Sequence, residues 1–304
     1  MRYICPTILV AILALATARA GLDGNDDFNG SSLSTNNWLH WVRGAGLVTQ
    51  TNQHLLYQTA GAPTATDVDA IIWEPEVGDV DKDWTVQLDV AVPSMTFQPG
   101  QGVQMVLAAF RVDPAFTLSN SMTVFLGAGN GFRGFESGIF VGGVKVASNS
   151  IDSSSTAAAV RLRWQAASHT LTADYDPDGA GGGYNWTPLV SRTIGPEAFD
   201  WGLSATSKFQ VVVFGNSQNL QVQPSMGVAA DNFICYPRLR VRPGPNTVVL
   251  SWSTNAAGFA LQARSPIGQS QSWTNFNRSP VTGGPDYQVE DSVTLDVKAY
   301  RLLR

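Results

Sequence analysis

Along much of this chain apolar and polar residues alternate one by one. Thr85-Val86-Gln87-Leu88-Asp89-Val90, Val160-Arg161-Leu162-Arg163-Trp164-Gln165 and Leu171-Thr172-Ala173-Asp174-Tyr175 follow the rule, and residues 104–107 follow it less cleanly. A period of two sends successive side chains to opposite faces, so each run predicts a strand with one buried face. Residues 209–214 are apolar apart from Gln210, the pattern of a strand covered on both sides. Clusters of Gly, Pro, Asn and Asp separate the runs. The strands at 161–166 and 170–175 predict a hairpin through Ala167-Ser168-His169. The strand at 122–126 leads into residues 127–143, whose glycines predict a segment that bends over the sheet. Helical periodicity is confined to a turn or two near 197–203. The pattern therefore predicts an all-β fold.

The first twenty residues break the pattern. Arg2 precedes a nine-residue apolar run at 8–16, and Ala18-Arg19-Ala20 fits a small-x-small cleavage site. Such a run is shorter than the roughly 20 residues a bilayer span needs. The expectation is an export signal at 1–20, a chain that is secreted, extracellular or periplasmic, and no membrane span after cleavage. Removing Arg2 and Arg19 leaves 17 bases against 24 acids, about −7. It also removes Cys5, so no intrachain disulfide is expected in the mature form. Cys235 lies in an apolar run and reads as a small buried hydrophobe rather than a nucleophile. Pro237, Pro243, Gly244 and Pro245 mark a boundary. Beyond it, strands at 247–252, 258–262, 286–295 and 298–303 form a small second unit. The division is 1–20, 21–237 and 238–304.

Composition narrows the function classes. With 304 residues, 44% hydrophobic, 14% charged and 9 Trp, the chain can bury a large core and is neither a disordered segment nor a coiled coil. A net charge of −5 disfavours nucleic-acid binding, which needs a basic face. Trp38, Trp41, Trp84, Trp164 and Trp252 are expected in the core.

Three groups of residues carry a resemblance. Asp26-Asp27-Phe28-Asn29-Gly30 with Leu33 and Trp38 resembles the first strand of concanavalin A-like lectin/glucanase (laminin G-like) jelly rolls. Val160-Arg-Leu-Arg-Trp164, Leu171-Thr-Ala-Asp-Tyr175 and Tyr184-Asn-Trp-Thr187 resemble that fold's central strand pair and the turn after it. Ala230-Asp-Asn-Phe233 resembles the last strand, which pairs beside the first. The resemblance covers 22–237 and implies a jelly-roll β-sandwich. Leu250-Ser-Trp252, Gly258-Phe-Ala-Leu-Gln262, Trp273-Thr and Tyr300-Arg-Leu302 resemble the small fibronectin type III-like units that end many secreted bacterial proteins, adhesive or sorting modules.

The Glu-x-Asp-x-x-Glu motif of jelly-roll glucanases, two carboxylates on one strand face, does not occur. The nearest acids are Asp67, Asp69, Glu74, Glu76, Asp79, Asp81 and Asp83. Pro75 separates the two glutamates, and the group reads as a solvated edge and loop. Gly129-Asn-Gly-Phe-Arg-Gly134 matches a dinucleotide fingerprint in letters only, because no helix is expected after it to supply the dipole. His40, His54 and His169 have no metal-ligand spacing. Asp174-Tyr-Asp-Pro-Asp-Gly179 spells the front half of a calcium loop, but the bidentate Glu is missing and Pro177 interrupts it. A plain turn is expected, with calcium the alternative. No metal or other cofactor is assigned.

A saccharide site joins an aromatic platform to polar groups that fix hydroxyls. If Leu162 and Trp164 face the core, Arg161 and Arg163 face outward. Phe125 does likewise if Val124 faces in. Phe125, Arg161, Arg163 and the loop aromatic Trp186 are the candidate ligand-binding residues, provided their strands are neighbours. A solvated sheet face is the bland alternative. The expected function is a secreted, non-catalytic carbohydrate-binding or adhesion protein whose partner is a polysaccharide or cell-surface glycan. The alternatives are a divergent polysaccharide hydrolase or lyase using Glu74, Glu76 or the Asp67/Asp69 group, and a structural envelope protein.

Overall fold

Two large antiparallel sheets account for the first three quarters of the chain. The computed structural model describes residues 25–35, 38–73, 78–81, 83–112, 119–179, 184–237, 240–244, 247–253, 260–264, 273–283, 286–292 and 299–303. The expected leader at 1–20 and the pair Glu74 and Glu76 lie outside the described residues. The chain falls into two compact units, residues 25–235 and 236–304.

Strands are numbered in chain order. Sheet I runs β14 (Thr187–Thr193), β13 (Thr170–Asp176), β12 (Ala157–Gln165), β7 (Trp84–Ala91), β16 (Ala229–Pro237), β4 (His54–Thr59), β3 (Gly46–Thr51), with β1 (Asn25–Asp26) also on β16. Sheet II runs β11 (Val144–Asp152), β10 (Phe132–Val141), β9 (Ser121–Gly129), β8 (Gly102–Val112), β15 (Lys208–Gln218), β5 (Asp67–Trp73), β2 (Trp38–Arg43), with β6 (Gly78–Asp79) also on β15. The first and last strands of the unit pair, Asn25 opposite Ile234 and Asp26 opposite Phe233, as the resemblance implied. Among the described residues there is no α-helix and none long and apolar enough to cross a membrane.

Alternation fixes what lies between the sheets. Val86 and Leu88, Leu162 and Trp164, and Leu171 and Ala173 point inward from sheet I; Leu107, Val124, Leu126, Val211 and Val213 meet them from sheet II. Aromatic rings fill both ends of this core. Trp38, Trp73 and Phe233 lie 4.8 to 5.0 Å apart at their centroids. Phe209 packs against Trp164 at 4.8 Å and Trp84 at 5.2 Å. Each such pair adds roughly 0.5–1.5 kcal/mol beyond area burial.

β15 is apolar on both faces, as its sequence predicts. Phe209, Val211 and Val213 enter the main core, while Val212 and Phe214 join a second cluster on the outer face of sheet II. Trp41 belongs to that second cluster and not to the expected core. The second unit has a four-stranded sheet, β17 (Arg240–Pro243), β18 (Thr247–Ser253), β22 (Asp286–Ser292) and β21 (Val281–Gly283). Beside it is a three-stranded one, β20 (Thr274–Asn275), β19 (Ala260–Arg264) and β23 (Ala299–Leu303). Its core is Leu250, Trp252, Leu261 and Val289.

Two local expectations fail. The glycine-rich stretch at 127–143 does not bend over the sheet; it turns at Asn130 and Gly131 and returns as β10, paired on both edges. Glycine is needed there for approach: a Cβ on Gly134 would lie 2.1 Å from the Ile151 carbonyl oxygen. Pairing on both sides supplies the backbone bonds that offset glycine's entropy. Residues 197–203 are not helical either. Phe199 bridges to Gly195, and Phe199 and Trp201, two apart in an extended stretch, both reach the core.

Arg133 ties three segments together. Its Nη1 donates to the carbonyls of Val92 (2.6 Å) and Ser155 (3.1 Å), and Nη2 to Pro93 (2.7 Å). Burial holds its pKa below the ordinary arginine value. Arg133→Met keeps the stem and strands three carbonyls, so it should lower unfolding stability by about 2–4 kcal/mol in urea titrations. No change in the urea midpoint would contradict this role.

Candidate functional site

The same alternation that fills the core leaves a polar outer face on sheet I. Thr85, Gln87 and Asp89 of β7, Arg161 and Arg163 of β12, and Thr172, Asp174 and Asp176 of β13 share it. Arg161 lies opposite both Gln87 and Asp174. Asp174 is fully buried and takes both arginines: Arg161 Nε at 2.8 Å, Arg163 Nε at 2.6 Å and Arg163 Nη2 at 2.9 Å. That ion pair holds the Arg163 pKa above its ordinary value.

The Arg161 guanidinium carbon lies 4.2 Å from the centre of the Trp186 ring, a cation–π contact. Trp186 stacks on Tyr184 at 5.2 Å and 14°. The Tyr184 hydroxyl donates to Asp89 Oδ1 (3.0 Å), and Asn232 Nδ2 donates to Asp89 Oδ2 (2.9 Å). Asn232 holds a left-handed φ of 48°, which asparagine tolerates. Asp231 beside it pairs with His54 Nδ1 at 3.3 Å. One line of contacts thus crosses the face from β13 to β4.

Electrostatics shape this line. Burial first, then the charges of Asp231 and Asp176, raise the Asp89 pKa, against the bonds from Asn232 and Tyr184. Burial likewise raises Asp231. The hydrogen bond and charge of Asp176 raise Asp178. The Gln87 amide nitrogen is buried and has no hydrogen-bond partner among the described residues.

Arg161, Arg163 and Trp186 are therefore brought together. Phe125 is not: β9 lies in sheet II between β8 and β10, and Phe125 packs into the second apolar cluster on the opposite side of the sandwich. Val124 does face the core, so the face was read correctly and the neighbouring strand was not. Sequence reasoning missed Gln87, Asp89, Tyr184 and Asn232. The first two were legible, since Thr85-x-Gln87-x-Asp89 places them on the outward face, and Tyr184 shares a side with Trp186 by the same two-residue spacing. Nothing local in the sequence places Asn232 against Asp89, 143 residues away.

Other candidates have structural work. In the calcium-like run Asp174 holds two arginines, and Asp176 accepts backbone N–H groups of Asn185 and Asp178. Among the described residues no three His, Cys, Asp or Glu side chains are grouped to hold a metal ion. Asp67 and Asp69 are not a solvated edge; both are fully buried. Asp67 accepts from Ala45 N (2.8 Å), Thr64 N (2.8 Å) and Thr64 Oγ1 (2.7 Å). Asp69 accepts from His40 Nε2 (2.7 Å) and from Val48 N. His169 stacks on Trp164 in the β12–β13 turn. The Gly129–Gly134 fingerprint is a hairpin followed by a strand. Burial pushes the Cys235 thiol up to about 12, away from the thiolate that a nucleophile needs.

No family model and no curated protein matches this chain. Among solved structures it is similar to the Bacteroides ovatus xyloglucan PUL GH43B, at 13% identity and a TM-score of 0.47, covering 73% of this chain. The chain spans 40% of the length of that protein. It is also similar to the VIP36 exoplasmic/lumenal domain in its Ca2+/Man2-bound form (12% identity, TM-score 0.44, covering 72% of this chain and 88% of that one). A third is lectin II from Ulex europaeus (13%, TM-score 0.42, 69% and 97%). Such likeness assigns no chemistry to this chain.

The carboxylate of Asp67 gives a pH test. Burial acts to raise its pKa, but the bonds from Ala45 and Thr64 outweigh it and the net shift is downward. Its contribution is complete above the ordinary aspartate pKa and is lost as pH falls through the lower folded-state value. Asp67→Asn should therefore cost about 1–3 kcal/mol near neutrality. The gap from wild type, measured by denaturant titration, should stay level down to about pH 4 and close below it. A gap that widens on acidification would refute this.

Proposed function

We propose that this chain is a secreted, non-catalytic carbohydrate-binding or adhesion protein and that the outer face of sheet I takes the glycan. The observation that carries the reading is the Arg161–Trp186–Tyr184–Asp89 line. It sets an aromatic pair beside fixed donors and acceptors, the combination that a ring of C–H groups edged with hydroxyls requires. Binding without catalysis is favoured because Asp67 and Asp69 are committed to holding backbone, and Asp174 to the two arginines. The fibronectin-like tail serves on this reading as the adhesive module. Export rests on the leader at 1–20.

A glycan array followed by calorimetry on the best ligand tests the reading. Trp186→Ala and Tyr184→Ala should each weaken binding about tenfold, the loss of one aromatic contact, with the far-ultraviolet circular dichroism of wild type. Absence of binding at millimolar ligand, or release of reducing sugar from the bound polysaccharide, would sink it.

A further inference from the structure

One edge of the sandwich is left ready to pair. β11 ends sheet II and is bonded to β10 on one side only. Ser153 N donates to the Arg133 carbonyl at 3.0 Å, and the register runs on without a shift through Ile151–Phe135, Asn149–Ser137 and Ala147–Ile139. Antiparallel ladder bonds recur at every second residue. Ala147, Asn149, Ile151 and Ser153 therefore spend their N–H and C=O groups on β10. Ser148, Ser150 and Asp152 turn theirs to the open side, where no described strand or backbone group meets them. The same strand holds apolar side chains in water. Among the described residues six large hydrophobic side chains stand exposed, and three of them, Val144 (58%), Val146 (49%) and Ile151 (42%), are on β11. Residues 146–151 contain no Pro and no charge to blunt the edge. Lys145 is engaged by Glu136 of the neighbouring β10. β14, the edge of sheet I on the same side, is blunted: Pro188 lacks a donor, and Arg192 reaches across to Asn149.

An open edge of this kind takes another extended strand, and β11 fits itself. An antiparallel partner must set outward-turned residues against outward-turned residues. The one register that uses all three is centred on Ser150, with Ser150 against its own copy and Ser148 against Asp152 of the second copy. Three such pairs make about six backbone hydrogen bonds. The Ser148 hydroxyl meets a carboxylate, and no two carboxylates face each other. Ile151 falls diagonal to Ile151 and Ala147 of the second copy, within side-chain reach. We propose that two copies of this chain pair antiparallel through β11, along residues 148–152, about a twofold axis at Ser150. Opposed residues share a face, so the axis is normal to sheet II and the outer faces of sheet I point the same way in both copies. On the glycan reading above the dimer is bivalent; the pairing itself does not rest on that reading.

Sedimentation equilibrium of the protein without any glycan, from about 1 to 300 µM, should show a monomer–dimer equilibrium, the strength that a short interface gives. Residue-resolved amide exchange should show Ser148, Ser150 and Asp152 slowing about tenfold across that range, while Asn149 and Ile151, bonded to β10, stay protected throughout. Ser150→Pro removes an outward donor and no bond to β10, and Ile151→Lys sets a charge against the incoming strand. Each should keep the protein monomeric over the range, with the far-ultraviolet circular dichroism of wild type. A monomer at every concentration overturns the proposal. So does a dimer in which the three outward amides exchange as fast as in the monomer, or one that Ile151→Lys leaves intact. Ile151→Lys keeps the test sound if the proline variant fails to fold.

Discussion

Aromatic packing between the two sheets is the constraint on which the rest depends. Trp38, Trp73 and Phe233 close one end, and Phe209 with Trp84, Trp164 and Trp201 closes the other. Once Leu162 and Trp164 must face this layer, Arg161 and Arg163 can face only outward. A register slip of one residue would exchange them and bury two guanidinium groups. The site on sheet I is therefore a consequence of the core.

The acids show one residue type doing different work according to its donors. Asp67 and Asp69 sit at the end of β5, where backbone N–H groups near the β2–β3 turn need acceptors, and they supply them. Asp174 offsets Arg161 and Arg163 across the β12–β13 pair. Asp89 is held by a tyrosine and an asparagine and carries the repulsion of neighbouring carboxylates. Buried acids are expensive unless paired, so each partner set is a statement of what the acid is for. The two outer faces diverge in the same way: sheet I is polar and partnered, sheet II is apolar.

Period-two alternation made most of the first unit legible, including the β12–β13 hairpin and the two-sided β15. It tells which face a residue takes but not which sheet its strand joins. That is why Phe125 and Arg161 were expected together and stand on opposite sides of the sandwich. Glycine content misled at 127–143 because cross-strand approach, as at Gly134, and not bending was the reason for it. The acids at 67 and 69 looked wet because the strand holding them alternates polar and apolar residues at its start. The backbone donors that bury them come from 20 residues away in sequence or more, apart from Thr64. Contacts such as Asn232 with Asp89 join strands 143 residues apart in sequence, and no local pattern encodes them.

The claim most exposed to test is that a glycan, if bound, sits on the outer face of sheet I and not on that of sheet II. Amide chemical-shift mapping during titration with a bound oligosaccharide measures this directly. The account predicts shifts confined to Gln87, Asp89, Arg161, Arg163, Asp174 and 184–186. Shifts centred on Val106, Phe125 and Phe214 would contradict it.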